Sequence, residues 1–209
     1  MAYIIIFIGA YLFGATPWGF MIGKMKGIDI REHGSGNIGA TNITRTLGGG
    51  YGKLCFLLDA LKGFLPVYIT VLIIKHKILE VNIDNAMIVA TLATVIGHMF
   101  PVYLKFKGGK GISTTGGALL ALAPGAFICS ALLWVIIFKT SRYVSLASII
   151  AAATLPLNAW LLNLTGLTKT TTPLIIFLAF LGLLAVIRHI SNIKRLLNGT
   201  ESRFAKKGK

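Results

Sequence analysis

The chain has 209 residues, of which 55% are hydrophobic and 13% are charged, a balance that excludes an ordinary water-soluble domain. Lys and Arg outnumber Asp and Glu by 21 to 6, and the resulting net charge of +15 would suggest a nucleic acid partner in a soluble protein. Here the basic residues fall between hydrophobic segments, where they orient a membrane protein and attract anionic headgroups or phosphorylated substrates. We therefore expect one membrane-embedded domain over residues 1–209 that contacts membrane lipids and binds no nucleic acid.

The first predicted element is an apolar segment from Ala2 to Ile22. No basic region precedes it, and its positive charges, Lys24 and Lys26, follow it. We therefore interpret it as a retained first span and not as a cleaved signal peptide. Because positive charges concentrate on the cytoplasmic side of membrane proteins, this order predicts an N-terminus outside and a cytoplasmic loop after the span.

That loop, residues 33–45, has the sequence HGSGNIGATNITR. Its glycines free the backbone to point successive N–H groups at one anion. Further donors come from five side chains: Ser35, Asn37, Thr41, Asn42 and Arg45. The pattern predicts a cradle for a phosphate group, and the alternative is a flexible glycine turn followed by an ordinarily capped helix.

The second predicted span, from about Leu54 to Ile74, contains an acidic and a basic residue in otherwise apolar sequence. Asp59 and Lys62 are spaced i, i+3, so the loss of hydration forces them to pair or to face a wet interior. Two roles stay open for Lys62, namely contact with a substrate or an ion pair that only holds helices together.

A second polar loop, residues 105–114, follows the third predicted span, Asn85 to Leu104. Its sequence, KFKGGKGIST, mixes lysines with glycines, a combination that binds phosphate well. The alternative is a topological signal or a contact with anionic lipid. The spacing of a nucleotide P-loop is absent.

Residues 111–138 are long for one crossing and short for two, and Pro124-Gly125 marks a turn in their middle. Two short helices here would keep most basic residues inside and leave three outside: Lys75, Lys77 and Lys169. With further spans at about Tyr143 to Leu164 and Pro173 to Ile190, we predict an all-α integral membrane protein with seven transmembrane helices and a cytoplasmic C-terminus. Helices that short must pack on neighbours or line a polar cavity.

A third polar segment, residues 188–201, ends the last span with the sequence RHISNIKRLLNGTE. His189, Asn192 and Arg195 are spaced i, i+3, i+6 and would lie along one helix face. Taken alone, the segment favours a structural role, with basic residues that stabilise a helix C-terminus. The predicted topology sends all three polar segments to one side of the membrane, and this convergence indicates a shared site.

These three segments, with LDALKGFLP in the second span, resemble the motifs of the bacterial acyl-phosphate-dependent glycerol-3-phosphate acyltransferases, the PlsY family. The resemblance extends over essentially the whole chain. It implies transfer of a fatty acyl group from acyl phosphate to the sn-1 hydroxyl of glycerol 3-phosphate. The products would be lysophosphatidic acid and inorganic phosphate, and the reaction would open phospholipid synthesis. The resemblance also implies a multi-pass protein of the bacterial inner membrane with its active site facing the cytoplasm.

The same resemblance implies roles for individual residues. Catalytic roles fall to Ser35, Arg45, His189 and Asn192. The residues expected to bind the donor phosphate are Gly36, Asn37, Thr41 and Asn42. Those expected to bind glycerol 3-phosphate are Lys105, Lys107, Gly108, Gly109, Lys110 and Ser113. Supporting residues are Asp59, Lys62, Arg195 and Glu201, the last being architectural. Two positions depart from the family pattern without changing a reacting group: Ile38 stands where proline is frequent and Ser113 where alanine is common.

The expected chemistry asks little of the protein beyond positioning. Acyl phosphate is a mixed anhydride whose leaving phosphate is stable near neutral pH, so charge stabilisation and removal of one alcohol proton remain. The base is either His189 or a nonbridging oxygen of the donor phosphate. We expect no metal or other cofactor, because basic residues are plentiful and clustered carboxylates are not. The acyl chain should enter sideways from the bilayer, and the enzyme should act as a monomer.

Two other classes of function would account for part of this pattern. A transporter or channel for a phosphorylated anion would also place polar loops beside short helices at a basic cavity. However, the charged motifs cluster at one predicted surface, and the two halves show no convincing duplication. A lipid-regulated scaffold would leave the three polar segments unexplained.

Overall fold

The computed structural model describes residues 1–204, and all regular elements in this part of the chain are helices. Two short 3-10 helices cover Ile30–Glu32 and Val102–Leu104. The α-helices are α1 (Ala2–Gly14), α2 (Trp18–Met25), α3 (Ala40–Leu47), α4 (Gly49–Lys75), α5 (Ile83–Met99), α6 (Ile112–Leu122), α7 (Pro124–Ser141), α8 (Val144–Leu164), α9 (Thr172–Arg188) and α10 (Ile190–Leu197).

Five segments of the described chain are long and apolar enough to cross a membrane. They are Ala2–Met25, Gly49–Lys75, Ile83–Leu104, Pro124–Ser141 and Val144–Leu164. The pair α9 and α10, bent by 58°, is a sixth candidate, whereas α6 has only 11 residues. The all-helical membrane architecture is therefore confirmed for residues 1–204, and the seven crossings and the outside N-terminus stay predictions.

The predicted first span, Ala2 to Ile22, consists of two helices, α1 and α2, that are separated just before Pro17. Proline lacks a backbone donor and disfavours helical geometry in the residue before it, here Thr16. The carbonyl of Thr16 is thereby released from the helix, and Lys62 Nζ donates to it at 2.6 Å. The break gives a buried lysine of α4 a hydrogen-bond acceptor.

The two helices predicted within residues 111–138 are present as α6 and α7, and their junction lies at Pro124 as expected. Proline suits the first position of a helix, because the N–H it lacks would have no partner there. The prediction that both helices are short is wrong for α7. This helix has 18 residues and continues to Ser141, past the predicted limit, before Arg142 ends it with a φ of 65°.

Contacts divide the chain into two compact units, of which the first is Met1–Leu122. In this unit α4 packs against α5 and α6, and α1 packs against α5. Glycines allow the α4–α6 crossing, since a Cβ on Gly63 would collide with the carbonyl of Thr114 and one on Gly117 with that of Ala60. Thr114, in the first turn of α6, therefore lies beside the middle of α4.

The second unit begins at Ala123 and contains α7 to α10. In this unit α8 contacts α7, α9 and α10. Two side-chain hydrogen bonds join α7 to α8: Trp134 Nε1 donates to Ser148 Oγ at 3.0 Å, and Asn158 Nδ2 donates to Ser130 Oγ at 2.8 Å. Such polar pairs stabilise helix contacts where hydrocarbon replaces water.

Candidate active site

The first polar loop is folded around the side chain of Asn42, which is 1% exposed. Asn42 Oδ1 accepts the backbone N–H of Ser35 at 2.9 Å. Asn42 Nδ2 lies within donating distance of the carbonyls of His33, Asn37 and Ile30, at 3.0, 2.9 and 3.2 Å. The amide therefore fixes the shape of the loop from its buried side.

Glycine residues shape the loop, and the start of α3 supplies backbone donors. Gly34 and Gly36 have φ angles of 58° and 67°, in the left-handed region that glycine adopts without strain. Asn37 Oδ1 accepts the N–H of Gly39 at 2.8 Å and orients the chain as it enters α3. Gly39 offers no side-chain cap to this helix, so the first N–H groups of α3 form a natural anion site.

The side chains predicted to handle the donor phosphate lie at this surface to different degrees. Ser35 and Arg45 are exposed, and Asn37 and Thr41 are half-buried. Of this group, Asn37 and Asn42 hydrogen-bond to the loop's own backbone, and Asn42 does so from a buried position. The surface of the loop and the α3 N-terminus thus combine hydroxyl, amide, guanidinium and backbone donors.

One carboxylate near this loop has its charge compensated locally. Arg31 donates to Asp29 from Nη2 at 2.6 Å and from Nε at 2.9 Å, and Lys24 Nζ lies 3.6 Å from the same carboxylate. Hydrogen bonding from Arg31 holds the pKa of Asp29 well below its ordinary value. Asp29 is therefore ionised and paired, and it opposes an anion at the loop only weakly.

The second polar loop folds back onto the end of α5. The N–H of Gly108 donates to the carbonyl of Met99 at 3.1 Å, and the N–H of Gly109 donates to that of His98 at 3.2 Å. Lys105 begins the loop with a left-handed φ of 51°. A Cβ on Gly108 would collide with the carbonyl of His98, so glycine is required there.

Charged side chains of this loop are accessible at its surface. Lys105 and Lys107 are exposed, and Lys110 and Ser113 are half-buried, the last in the first turn of α6. Ammonium groups of the kind that bind phosphate therefore lie at the surface of this loop, whereas the N–H groups of Gly108 and Gly109 already donate to carbonyls of α5.

A buried ionic cluster lies below the second loop. Lys62 Nζ is 2.9 Å from Asp59 Oδ1, and His98 Nδ1 is 3.6 Å from the same oxygen. The hydroxyl of Thr114 lies 3.2 Å from His98 Nδ1. Lys62 is 1% exposed and also donates to the carbonyl of Thr16, which favours the ion pair over substrate contact as its role. Sequence reasoning missed His98, although an ionisable residue inside an apolar span is itself a signal.

The first two polar loops are brought together within the first unit. Ile38 of the first loop and Leu104, immediately before the second, belong to one buried apolar cluster. The other buried members of this cluster are Ile22, Ile30, Ile43 and Cys55. Cys55 Sγ also lies 3.7 Å from Asp59 Oδ2, next to the ionic cluster. Both loops therefore stand on a common packed base.

The third polar segment lies in the second unit, where the chain bends between α9 and α10. His189 occupies the bend and is 3% exposed, and its Nδ1 lies 2.8 Å from the carbonyl of Ala185. Asn192 Nδ2 donates to Glu201 Oε1 at 2.8 Å, and Arg195 Nε donates to Glu201 Oε2 at 2.7 Å. The predicted shared helix face is confirmed for Asn192 and Arg195 and is wrong for His189, because the helix breaks at that residue.

Glu201 joins α10 to the start of α8. Its Oε1 accepts the hydroxyl of Ser145 at 2.7 Å in addition to the bonds from Asn192 and Arg195. Desolvation raises the pKa of Glu201, but the three hydrogen bonds and the charge of Arg195 outweigh it and hold the pKa below its ordinary value. The contacts are those of an ionised carboxylate that fixes α10.

The donor set suits anions throughout. Hydroxyls and cations are present in both loops of the first unit, and the first loop adds amide side chains. Within residues 1–204, no group of three or more His, Cys, Asp or Glu side chains is arranged to hold a metal ion. A pocket formed by all three polar segments stays a prediction.

Comparisons with known proteins agree with this chemistry. The sequence profile of a family described as glycerol-3-phosphate acyltransferase matches residues 4–199. A glycerol-3-phosphate acyltransferase of Aquifex aeolicus is 45% identical over 205 residues, which cover 97% of this chain and 98% of that protein. A crystal structure of PlsY, an integral membrane glycerol 3-phosphate acyltransferase in its glycerol 3-phosphate form, is similar with a TM-score of 0.84 and 41% identity, covering 98% of this chain and 96% of that one. The lysophosphatidic acid form of PlsY gives a TM-score of 0.82 and 40% identity over the same shares of the two chains. This chain therefore belongs to the glycerol-3-phosphate acyltransferase family.

Proposed function

We propose that this enzyme transfers a fatty acyl group from acyl phosphate to the sn-1 hydroxyl of glycerol 3-phosphate, releasing lysophosphatidic acid and inorganic phosphate. Family membership gives acyl transfer to glycerol 3-phosphate and removes transport of an anion as the main activity. The identity of the donor and the position acylated belong to the proposal. A similar enzyme crystallised with glycerol 3-phosphate and with lysophosphatidic acid supports the acceptor and the product.

The observation that supports an acyl-phosphate donor is the presence of two anion-binding loops on one packed base. The first loop leads into the N-terminus of α3, which has no side-chain cap, and the second exposes Lys105 and Lys107. Ile38 and Leu104 join their bases in a single apolar cluster. A reaction between two phosphate-bearing molecules needs two such sites, because two anions approach each other only when both charges are compensated.

On the donor side, we assign binding of the acyl phosphate to the first loop. Ser35 and Arg45 contact the phosphate from the exposed surface, and Gly36, Asn37 and Thr41 contribute backbone or side-chain donors near the α3 N-terminus. Asn42 belongs to the same site as the residue that shapes it, because its amide is hydrogen-bonded to the loop backbone.

On the acceptor side, we assign the phosphate of glycerol 3-phosphate to the second loop. The residues of this site are Lys105, Lys107, Gly108, Gly109, Lys110 and Ser113. The exposed ammonium groups of Lys105 and Lys107 attract the dianion, and the half-buried Lys110 and Ser113 complete the proposed site. With its phosphate held at the second loop, glycerol 3-phosphate would present its free hydroxyls to the acyl donor.

The chemical step needs only one proton acceptor. The sn-1 oxygen attacks the acyl carbonyl carbon, a tetrahedral intermediate forms, and the carbon–oxygen bond to phosphate breaks as inorganic phosphate leaves. The proton goes either to a nonbridging phosphate oxygen or to His189. If Nδ1–H of His189 donates to the carbonyl of Ala185, Nε2 is the acceptor nitrogen, which is the tautomer that a general base requires.

We also propose how the enzyme sits in its membrane. Residues 1–209 act as one domain with seven crossings, an outside N-terminus and a cytoplasmic active site in the bacterial inner membrane. The acyl chain enters sideways from the lipid, because moving it through water would forfeit about 0.8 kcal/mol per methylene. A monomer holds both sites and can complete the reaction alone.

An assay of three donors tests the proposal. Purified enzyme in detergent is given glycerol 3-phosphate with acyl phosphate, acyl coenzyme A or acyl carrier protein, and lysophosphatidic acid is quantified by mass spectrometry with the acyl position resolved. We expect turnover with acyl phosphate alone and acylation at the sn-1 oxygen. Equal or faster turnover with either thioester, or acylation at sn-2, would overturn the donor or the positional assignment.

A further inference from the structure

The buried ionic cluster has no task in the chemistry described above. Its residues, Asp59, Lys62, His98 and Thr114, are at most 3% exposed. Ionisable groups inside a membrane span are strongly destabilising unless they are paired or hydrogen-bonded. Such a cluster persists only where its contacts accomplish something that apolar side chains could not.

Part of the cluster stabilises the contacts between helices. Lys62 pairs with Asp59 one turn earlier on α4 and donates to the carbonyl of Thr16 at the break between α1 and α2. The hydroxyl of Thr94 on α5 donates to the carbonyl of Lys62 at 2.8 Å. These contacts join α4 to α1 and α5 without the imidazole of His98, so helix packing alone leaves His98 and Thr114 unexplained.

His98 touches the second loop through both its backbone and its ring. Its carbonyl accepts the N–H of Gly109 at 3.2 Å. The edge of its imidazole at Nε2 lies against the same glycine, where even a single added carbon would collide with it. The other ring nitrogen, Nδ1, lies 3.2 Å from Thr114 Oγ1 and 3.6 Å from Asp59. The ring therefore spans the distance from the buried carboxylate to the backbone of the loop.

We propose that His98 is a positioning residue for glycerol 3-phosphate. Its imidazole lies against Gly109 of the loop, while Asp59 and Thr114 hold the ring in one orientation. The inference rests on the proposed function, which assigns this loop to the phosphate of the acceptor. Its consequence is that disturbing the ring weakens binding of glycerol 3-phosphate more than binding of the acyl donor or the chemical step.

A matched pair of threonines tests this inference with minimal disturbance. Thr114→Val removes the hydroxyl beside His98 Nδ1, and Thr91→Val removes a hydroxyl that has no hydrogen-bond partner in the described part of the chain. Both threonines are 0% exposed, and Thr91 lies on α5 with His98. We expect Thr114→Val to raise the KM for glycerol 3-phosphate roughly three- to ten-fold and Thr91→Val to leave it within about two-fold of the wild type.

The second variant addresses the ring itself. His98→Ala should raise the KM for glycerol 3-phosphate by more than about ten-fold while the KM for acyl phosphate and kcat at saturating acceptor change less than about three-fold. Calorimetric titration of glycerol 3-phosphate into the detergent-solubilised variants should show a matching loss of affinity. If His98→Ala does not fold, the KM of Thr114→Val for glycerol 3-phosphate tests the inference alone.

Lys107→Ala separates failure of this inference from failure of the proposed function. If Lys107→Ala raises the KM for glycerol 3-phosphate but Thr114→Val and His98→Ala do not, the loop binds the acceptor and His98 does not position it. A loss of similar size for both substrates in folded Thr114→Val would reduce His98 to a structural residue. If Lys107→Ala also leaves acceptor binding unchanged, the assignment of the loop fails first, and the inference about His98 fails with it.

Discussion

At the scale of single residues, the first loop contains one side chain that stabilises the loop conformation and others that are exposed at its surface. Asn42 is buried and hydrogen-bonded to the loop backbone, whereas Ser35 and Arg45 are exposed on the same 13-residue stretch. A buried amide whose partners are backbone groups stabilises one loop conformation. The exposed pair can then meet a phosphate without rearrangement of the chain, which lowers the entropy lost on binding.

The exposed pair leads to a prediction about turnover. Arg45→Ala removes a guanidinium from the proposed donor site, and Ser35→Ala removes a hydroxyl from it, while neither opens a buried cavity. We expect Arg45→Ala to lower kcat/KM by at least about 100-fold and Ser35→Ala to abolish measurable turnover, with both proteins folded in detergent. Lys53→Ala, a change at an exposed basic residue on the first turns of α4, is the control and should stay near wild type. Near-normal activity of both loop variants would reject the cradle.

The sequence could identify these residues but not divide them into classes. Asn42 and Asn37 are both amides in one glycine-rich motif, and only the fold decides that Asn42 meets three carbonyls. His98 was overlooked for a related reason. Its contacts with Asp59 and Thr114 come from three different helices, and no spacing along the chain encodes such a contact.

At the scale of helices, close approach is set by small residues. Gly63→Ala would place a methyl group against the carbonyl of Thr114 at the α4–α6 crossing. We expect destabilisation of about 1–3 kcal/mol, seen as a lower midpoint of thermal unfolding in detergent, because the two helices must separate. Gly9→Ala is the matched control, since a Cβ there meets nothing within 4 Å and alanine favours a helix. Equal midpoints for the two variants would contradict the packing described.

Glu201 gives the α8–α10 contact a dependence on pH. Because hydrogen bonds hold its folded-state pKa below the unfolded value, its contribution to stability is fully present above pH of about 4.3 and is lost as the pH falls further. Wild type should therefore unfold at a higher temperature than Glu201→Gln near neutral pH, and the difference should shrink as the pH falls below about 4. Glu80→Gln, the same change at an exposed site, should show no such trend. A difference that stays constant over this range would argue against an ionised Glu201.

Helix boundaries show what pattern reasoning captures. Pro124 was recognised as a break, and α7 begins there. Pro17 also separates two helices, but Pro66 and Pro156 lie inside α4 and α8, where the helix continues. In a membrane, neighbouring groups can satisfy the carbonyls that proline leaves without a partner, as Thr94 of α5 does when its hydroxyl donates at 2.8 Å to the carbonyl of Lys62, four residues before Pro66. Proline alone therefore does not predict a break.

At the scale of the whole molecule, composition was a strong guide. Long apolar segments separated by basic loops predict a helical membrane protein, and every segment of the described chain that is long enough to cross lies within about five residues of its predicted bounds. The largest difference is at the start of α4, which begins at Gly49 instead of about Leu54. The distribution of Lys and Arg also predicts which helix ends face the cytoplasm, a property that the helix bounds alone do not give. That orientation decides whether residues of the two units can serve one reaction.

Labelling of single cysteines tests the orientation. In a Cys129→Ala background, with Cys55 buried, cysteine is introduced at exposed positions 32, 75, 169 and 198, and intact cells and inverted vesicles are treated with a membrane-impermeant maleimide. Positive charge is expected to hold residues 32 and 198 inside, so these should react only in inverted vesicles, and residues 75 and 169 only in intact cells. Because residue 32 adjoins the donor loop and residue 198 lies near Asn192, labelling of these two from opposite sides would separate His189 and Asn192 from the acyl donor. The proton would then have to leave through the substrate phosphate, and the third polar segment would have no part in catalysis.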